Sequence, residues 1–159
     1  MTILRRGSVP VQHWPFTYPP PLNDGLGPIS GRPLGDAARL GQFGVHEETL
    51  PPGATSSLRH WHEREDEFVY VISGALTVVD EAGAHVLGPG DAAGFAAGTP
   101  DGHTLRNDTG KPATYLLIGS RLPDEVVHYS DVDLVLTRRD GTGRYTRRDG
   151  SPPAADERS

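Results

Sequence analysis

Between Gln42 and Ser120 short apolar runs alternate with turns built on Pro51-Pro52-Gly53, Ser73-Gly74, Glu81-Ala82-Gly83 and Gly88-Pro89-Gly90-Asp91. That punctuation leaves room for strands and argues against long helices. QFGVHEETL, SSLRHWH, EFVYVIS, ALTVVD, AHVL, AAGFA, HTLRN and ATYLLIGS read as seven or eight short strands. Such a series predicts an all-β sandwich or barrel. Ser73-Gly74 reads as a tight hairpin turn, and EFVYVIS, apolar on both parities, predicts a strand covered on both sides. With 20 Gly and 15 Pro in 159 residues, the chain fits one domain large enough to bury a core.

The flanks are less regular. Residues 1–40 form a Pro/aromatic arm with Trp14, Phe16, Tyr18 and Pro19 to Pro21, expected to pack on the core or on a second subunit. Leu34 to Gly41 allows a helical turn. Residues 41–149 are expected to make the barrel with a C-terminal extension, and 150–159 a polar, mobile tail. Within the extension, VVHYSDVDLVL contains an apolar segment, and RRDGTGRYTRRDG reads as two extended pieces around Gly141 and Gly143. Its arginines, Arg138 among them, are expected on a solvated hairpin.

Charge and composition exclude several functions. A formal charge of -6 argues against nucleic acid and anionic membrane surfaces as partners. The absence of cysteine removes disulfides, thiolate ligands and a cysteine nucleophile. No apolar run follows Arg5 and Arg6, so a secretory leader is not expected and a cytoplasmic location is.

The chemistry concentrates in GATSSLRHWHEREDEFVYVISG, Gly53 to Gly74. On a strand His60 and His62 point the same way and Trp61 the other. Glu67 opens the next apolar strand, so its carboxylate can join both imidazoles, a donor set suited to a divalent first-row ion. Glu65 and Asp66 compete with Glu67 for that role, Asp66 being the first substitute. Among the other histidines, His46 is a wall residue, His85 is exposed, His128 packs over the barrel, and His13 is structural or solvated. Candidate pocket walls are Arg59, Tyr70, Phe95 and Tyr115, though strand parity turns Arg59 and Tyr70 outward.

The spacing Gly53-x6-His60-x-His62-x4-Glu67-x6-Gly74 resembles the first motif of the cupin family, with one extra residue after the first glycine. Gly90-x5-Ala96-x-Gly98-x4-His103-x3-Asn107 resembles the second, with Ala96 in place of a proline and a two-residue insertion before His103. The resemblance covers about residues 42 to 120, and the flanks look like those of small bacterial single-domain cupins without an agreed activity. It implies a double-stranded β-helix (jelly roll) holding one divalent transition metal ion, with His60, His62, Glu67 and His103 as ligands. The ion would be Fe, Mn, Ni, Co, Cu or Zn. The insertion is expected to lengthen a loop while His103 keeps its place.

The implied activities are those of a small-molecule metalloenzyme, an oxygenase or an isomerase, lyase or decarboxylase. A non-catalytic ligand-binding or sensory cupin is the alternative. A small-molecule ligand and a homodimer formed through the arm complete the expectations.

Overall fold

The computed structural model describes residues 1–16, 18–23 and 26–153. The expected tail therefore lies outside the described residues from position 154 onward. The chain forms β1 (Gln12–Trp14), β2 (Ile29–Pro33), α1 (Leu34–Ala37), β3 (Phe43–Leu50), β4 (His60–His62), β5 (Glu67–Ser73) and β6 (Leu76–Asp80). It continues through β7 (Gly83–Leu87), β8 (Ala92–Phe95), β9 (Thr104–Arg106), β10 (Ala113–Ser120), β11 (Glu125–Tyr129), β12 (Val135–Arg139) and β13 (Thr142–Thr146).

These strands form three sheets, ordered β1-β2-β3-β10-β5-β8, β13-β12-β11-β4 and β7-β6-β9. All pairings between the named strands are antiparallel. Alternation along β5 sorts its residues by face: Val69 and Val71 are buried, joining Leu50, Leu76, Val78, Leu105, Ala113 and Tyr115 in the core. Each fully buried aliphatic side chain contributes roughly 1.5–3 kcal/mol relative to exposure. The other parity behaves differently from the expectation of cover on both sides. Phe68, Tyr70 and Ile72 are 42%, 40% and 43% exposed: the outer face of that sheet is only partly covered, with Leu4 to Gly7 and Val9 sharing a cavity with Ile72 and Thr114.

A second correction concerns Ser73-Gly74. β5 pairs with β10 and β8 while β6 pairs with β7 and β9, so the turn carries the chain from one sheet to another and closes no hairpin. Gly74 has φ +78, and a Cβ there would lie 2.5 Å from the Pro112 carbonyl oxygen. Both the left-handed backbone and the contact reject a side chain. Gly74→Ala is expected to lower stability by roughly 1–3 kcal/mol, and an unchanged melting temperature would refute this account of the crossing.

A smaller cluster of Val127, Tyr129 and Leu134 covers the other end, with Tyr18, Leu22 and Tyr145 packed against it. Tyr18 meets Tyr129 edge-on at 5.4 Å, and Trp14 lies 5.4 Å from His46. The aromatics of the arm are thus engaged within their own chain. β2, from the same N-terminal stretch, is hydrogen-bonded to β3 in the large sheet.

Candidate metal centre

Each sheet brings part of one polar group to the same place. β4 supplies His60 and His62, β5 supplies Glu67, and His103 stands immediately before β9. His60 and His103 exchange backbone hydrogen bonds of 3.0 and 2.9 Å, which joins two sheets and fixes His103 beside His60. The insertion is taken up in the preceding loop. There Gly102 has no room for a side chain, since a Cβ would sit 1.9 Å from Ser130 Oγ.

Glu67 Oε2 lies 3.7 Å from His60 Nε2, 3.5 Å from His62 Nε2 and 2.9 Å from His103 Nε2. His60, His62 and Glu67 form the compact group, with ligand atoms within 4.8 Å of one another. Bonds of ~2.1 Å to one ion separate neighbouring ligand atoms by roughly 3.0–3.4 Å, so this spacing suits a divalent first-row ion. His62 Nε2, which faces Glu67, is buried with no hydrogen-bond partner among the described residues, as suits a nitrogen that would hold an ion.

His60 Nδ1 lies 2.8 Å from the Leu58 carbonyl oxygen, so that nitrogen carries the proton and donates it, leaving the Nε2 lone pair facing Glu67. Burial lowers the His60 pKa to about 4 against the pull of Glu67, which keeps the ring neutral at pH 7. Burial also opposes protonation of His62, but the Glu67 carboxylate outweighs it and raises the pKa. Glu67 is held well below the usual carboxylate range: burial works the other way, and His103 and His62 overcome it.

The competing carboxylates are placed elsewhere. Asp66 Oδ1 accepts the Ala97 N–H at 2.8 Å. Glu65 is buried, accepts the Leu122 N–H at 2.7 Å and pairs with Arg138. Arg138 stays on the β12–β13 hairpin, but its side chain turns to the buried Glu65. Glu65 Oε2 stands 4.0 Å behind His62 Nδ1, and Glu65, His62 and Glu125 form a second compact group. Arg138 holds Glu65 in this group, and no hydrogen bond joins either carboxylate to His62.

Two chambers adjoin the Glu67 cluster. An inner one of ≈ 190 Å³ is bordered by His60, Glu67 and His103 together with Glu48, Ser57 and Tyr115. An outer one of ≈ 450 Å³ is bordered by His62 and His103 with Trp61, Asp80, Phe95 and Asp101. Phe95 stacks on His103 with ring centroids 3.5 Å apart. Of the four wall candidates, Phe95 and Tyr115 therefore border chambers. Arg59 is tied to Asp131 and Glu81, and Tyr70 lies on the exposed outer face.

The remaining histidines are separate from the cluster. His46 faces Trp14 and lies 3.9 Å from Glu48 Oε1, His128 stacks on Trp61 at 4.3 Å, His85 is half exposed beside Asp80, and His13 is exposed.

Glu48 is the residue that the reading of the sequence missed. Tyr115 Oη donates to its Oε2 at 2.8 Å, and burial, with the charge of Glu67 added, pushes its carboxyl up to about 7 against that hydrogen bond. The available signal was parity: Gly44, His46, Glu48 and Leu50 share the inward face of β3, and a carboxylate in that row is out of place in an apolar core.

A double-stranded β-helix with a His/Glu cluster inside its barrel defines the class. Residues 46–119 match the cupin domain profile. The chain is 45% identical to a sugar phosphate isomerase from a cupin superfamily of Silicibacter pomeroyi, with a TM-score of 0.91 over 97% of this chain and 98% of that one. It is 31% identical to an Acidithiobacillus ferrooxidans protein provisionally named a sugar phosphate isomerase, with a TM-score of 0.74 over 81% and 82% of the two chains. The polyketide cyclase of Streptomyces resistomycificus, 23% identical with a TM-score of 0.59 over 76% and 79%, shares the fold. No curated protein matches. The chain belongs to the cupin superfamily.

No described helix is long and apolar enough to cross a membrane.

Proposed function

We propose that this chain is a metal-dependent cupin enzyme that isomerises a small hydroxy-carbonyl compound by moving a proton between adjacent carbons. The observation that carries the reading is the pairing, across one inner chamber, of the His60–His62–Glu67–His103 cluster with the buried Glu48–Tyr115 pair. His60, His62, Glu67 and His103 would hold the ion, whose contribution when bound is Lewis acidity toward a carbonyl or hydroxyl oxygen. Glu48, as carboxylate, takes the proton from the carbon beside the carbonyl and returns it to the former carbonyl carbon, while the proton of the adjacent hydroxyl passes to the former carbonyl oxygen. Tyr115 holds Glu48 in place throughout. No co-reactant is consumed, and substrate and product have the same composition.

Similarity to two solved relatives named as sugar phosphate isomerases supports an aldose–ketose type of reaction over oxygenation. The test is hydrogen exchange: in deuterated water, metal-loaded protein is expected to wash deuterium into the carbon beside the carbonyl of a panel of aldoses, ketoses and their phosphates. Removal of the ion by a chelator should abolish the exchange. No exchange across the panel would overturn the isomerase reading and leave the ligand-binding alternative.

A homodimer belongs to this proposal. The exposed row Phe68, Tyr70 and Ile72 supports it better than the arm does, since Trp14 and Tyr18 pack inside their own chain. Light scattering is expected to give twice the chain mass for the intact protein and for one lacking residues 1 to 30. A monomer mass for the intact chain would overturn the dimer.

A further inference from the structure

The names of the two similar isomerases point to a phosphorylated substrate, and the walls of this site point away from one. We infer that the site, read as an isomerase, is built for an uncharged, unphosphorylated sugar. Among the described residues, neither chamber at the Glu67 cluster has an Arg or Lys in its lining. Recognition of a phosphate monoester ordinarily relies on such cations or on a helix N-terminus. The only helix among the described residues, α1, has four residues and lies against β3, away from both chambers.

The nearest candidates for a swinging cation are already committed. Arg59 bonds Asp131 through Nε and Nη2, at 3.2 and 2.8 Å, and lies 3.3 Å from Glu81. Arg138 is held by Glu65 and the Leu122 carbonyl. Arg5, Arg6 and Arg32 do gather at one cavity, but it also borders Ile72 and Thr114, on the outer face of the large sheet.

What the outer chamber does offer is hydroxyl recognition. Asp80 and Asp101 stand on its wall with Thr99, and the rings of Trp61 and Phe95 provide apolar surface for C–H faces. Each aspartate is anchored through one oxygen. Asp80 Oδ1 accepts the Ala82 and Gly83 N–H groups at 2.8 and 3.0 Å, and Asp101 Oδ1 accepts the Glu81 N–H at 2.9 Å. The second oxygen of each remains an acceptor for sugar hydroxyls. His85, the one imidazole on this wall outside the proposed ligands, is 3.2 Å from Asp80 Oδ1 and so is matched to a carboxylate already present. Away from the ion, a phosphate monoester brought to this wall meets the Asp80 and Asp101 carboxylates and no described Arg or Lys, so its charge finds no side-chain partner there. A chamber of ≈ 450 Å³ accommodates a pentose or hexose.

The test is calorimetric titration of the metal-loaded protein with a panel of pentoses and hexoses and with the phosphate monoester of each. The best unphosphorylated sugar is expected to bind at least ten-fold tighter than its own phosphate. Asp101→Lys should narrow that ratio at least three-fold by giving the phosphate a partner, and Asp101→Asn should narrow it in the same direction if the lysine variant does not fold. Equal or tighter binding of the phosphate overturns the inference, as does failure of every unphosphorylated sugar to bind. The isomerase reading is judged separately by deuterium exchange, which a phosphosugar alone can satisfy while this inference fails.

Discussion

His60→Ala or His62→Ala is expected to lower the metal bound per chain at least ~10-fold, because even residues that only support a ligand cost about 10–100-fold in affinity when removed. Both imidazoles point at Glu67 Oε2 from the same short strand, and either deletion removes a quarter of the proposed donor set. Elemental analysis of protein purified without a chelating tag measures the effect. Asp66→Ala is the internal control: its carboxylate is bonded to the Ala97 N–H, so the metal content should not change. Unchanged stoichiometry in both histidine variants would refute the centre.

The second large effect is on turnover. Glu48→Gln is expected to cut kcat for deuterium exchange by about 10²–10⁴, the usual contribution of a positioned acid–base group, while metal content stays at the level of the parent. With its carboxyl pushed up to about 7, Glu48 is neutral and unable to accept a proton in acid, so activity should rise with pH across that value. The Tyr115 hydrogen bond lowers the Glu48 pKa, and Tyr115→Phe should therefore move the rising limb toward alkaline pH. A profile insensitive to both substitutions would remove Glu48 from the reaction. The same group has a stability signature. Its folded pKa of about 7 exceeds the ordinary value of 4.5, so it favours the fold most strongly below pH 4.5, and this contribution is lost as pH rises through about 7.

Local signals served well where side-chain direction follows from backbone period alone. His60 and His62 had to share a face of β4, and Glu67 had to lead the inward row with Val69 and Val71. They failed at Gly74, where adjacency in sequence suggested a hairpin and the chain instead changes sheets. They also failed for Glu65 and Arg138, 73 residues apart, which look like solvated charges until the fold buries one against the other. Glu48 was passed over because its partner Tyr115 lies 67 residues away on β10.

From its residues alone the chain dictated an all-β series of short strands and a histidine pair with an acid at ligand spacing, since turn chemistry and the two-residue strand repeat are local properties. Only the closed barrel decided that His103 stands beside His60 across a bridge of backbone hydrogen bonds, that Glu48 and Tyr115 share a chamber with Glu67, and that no arginine or lysine among the described residues lines it. Those outcomes depend on which distant strands become neighbours, and packing settles that over the whole chain at once.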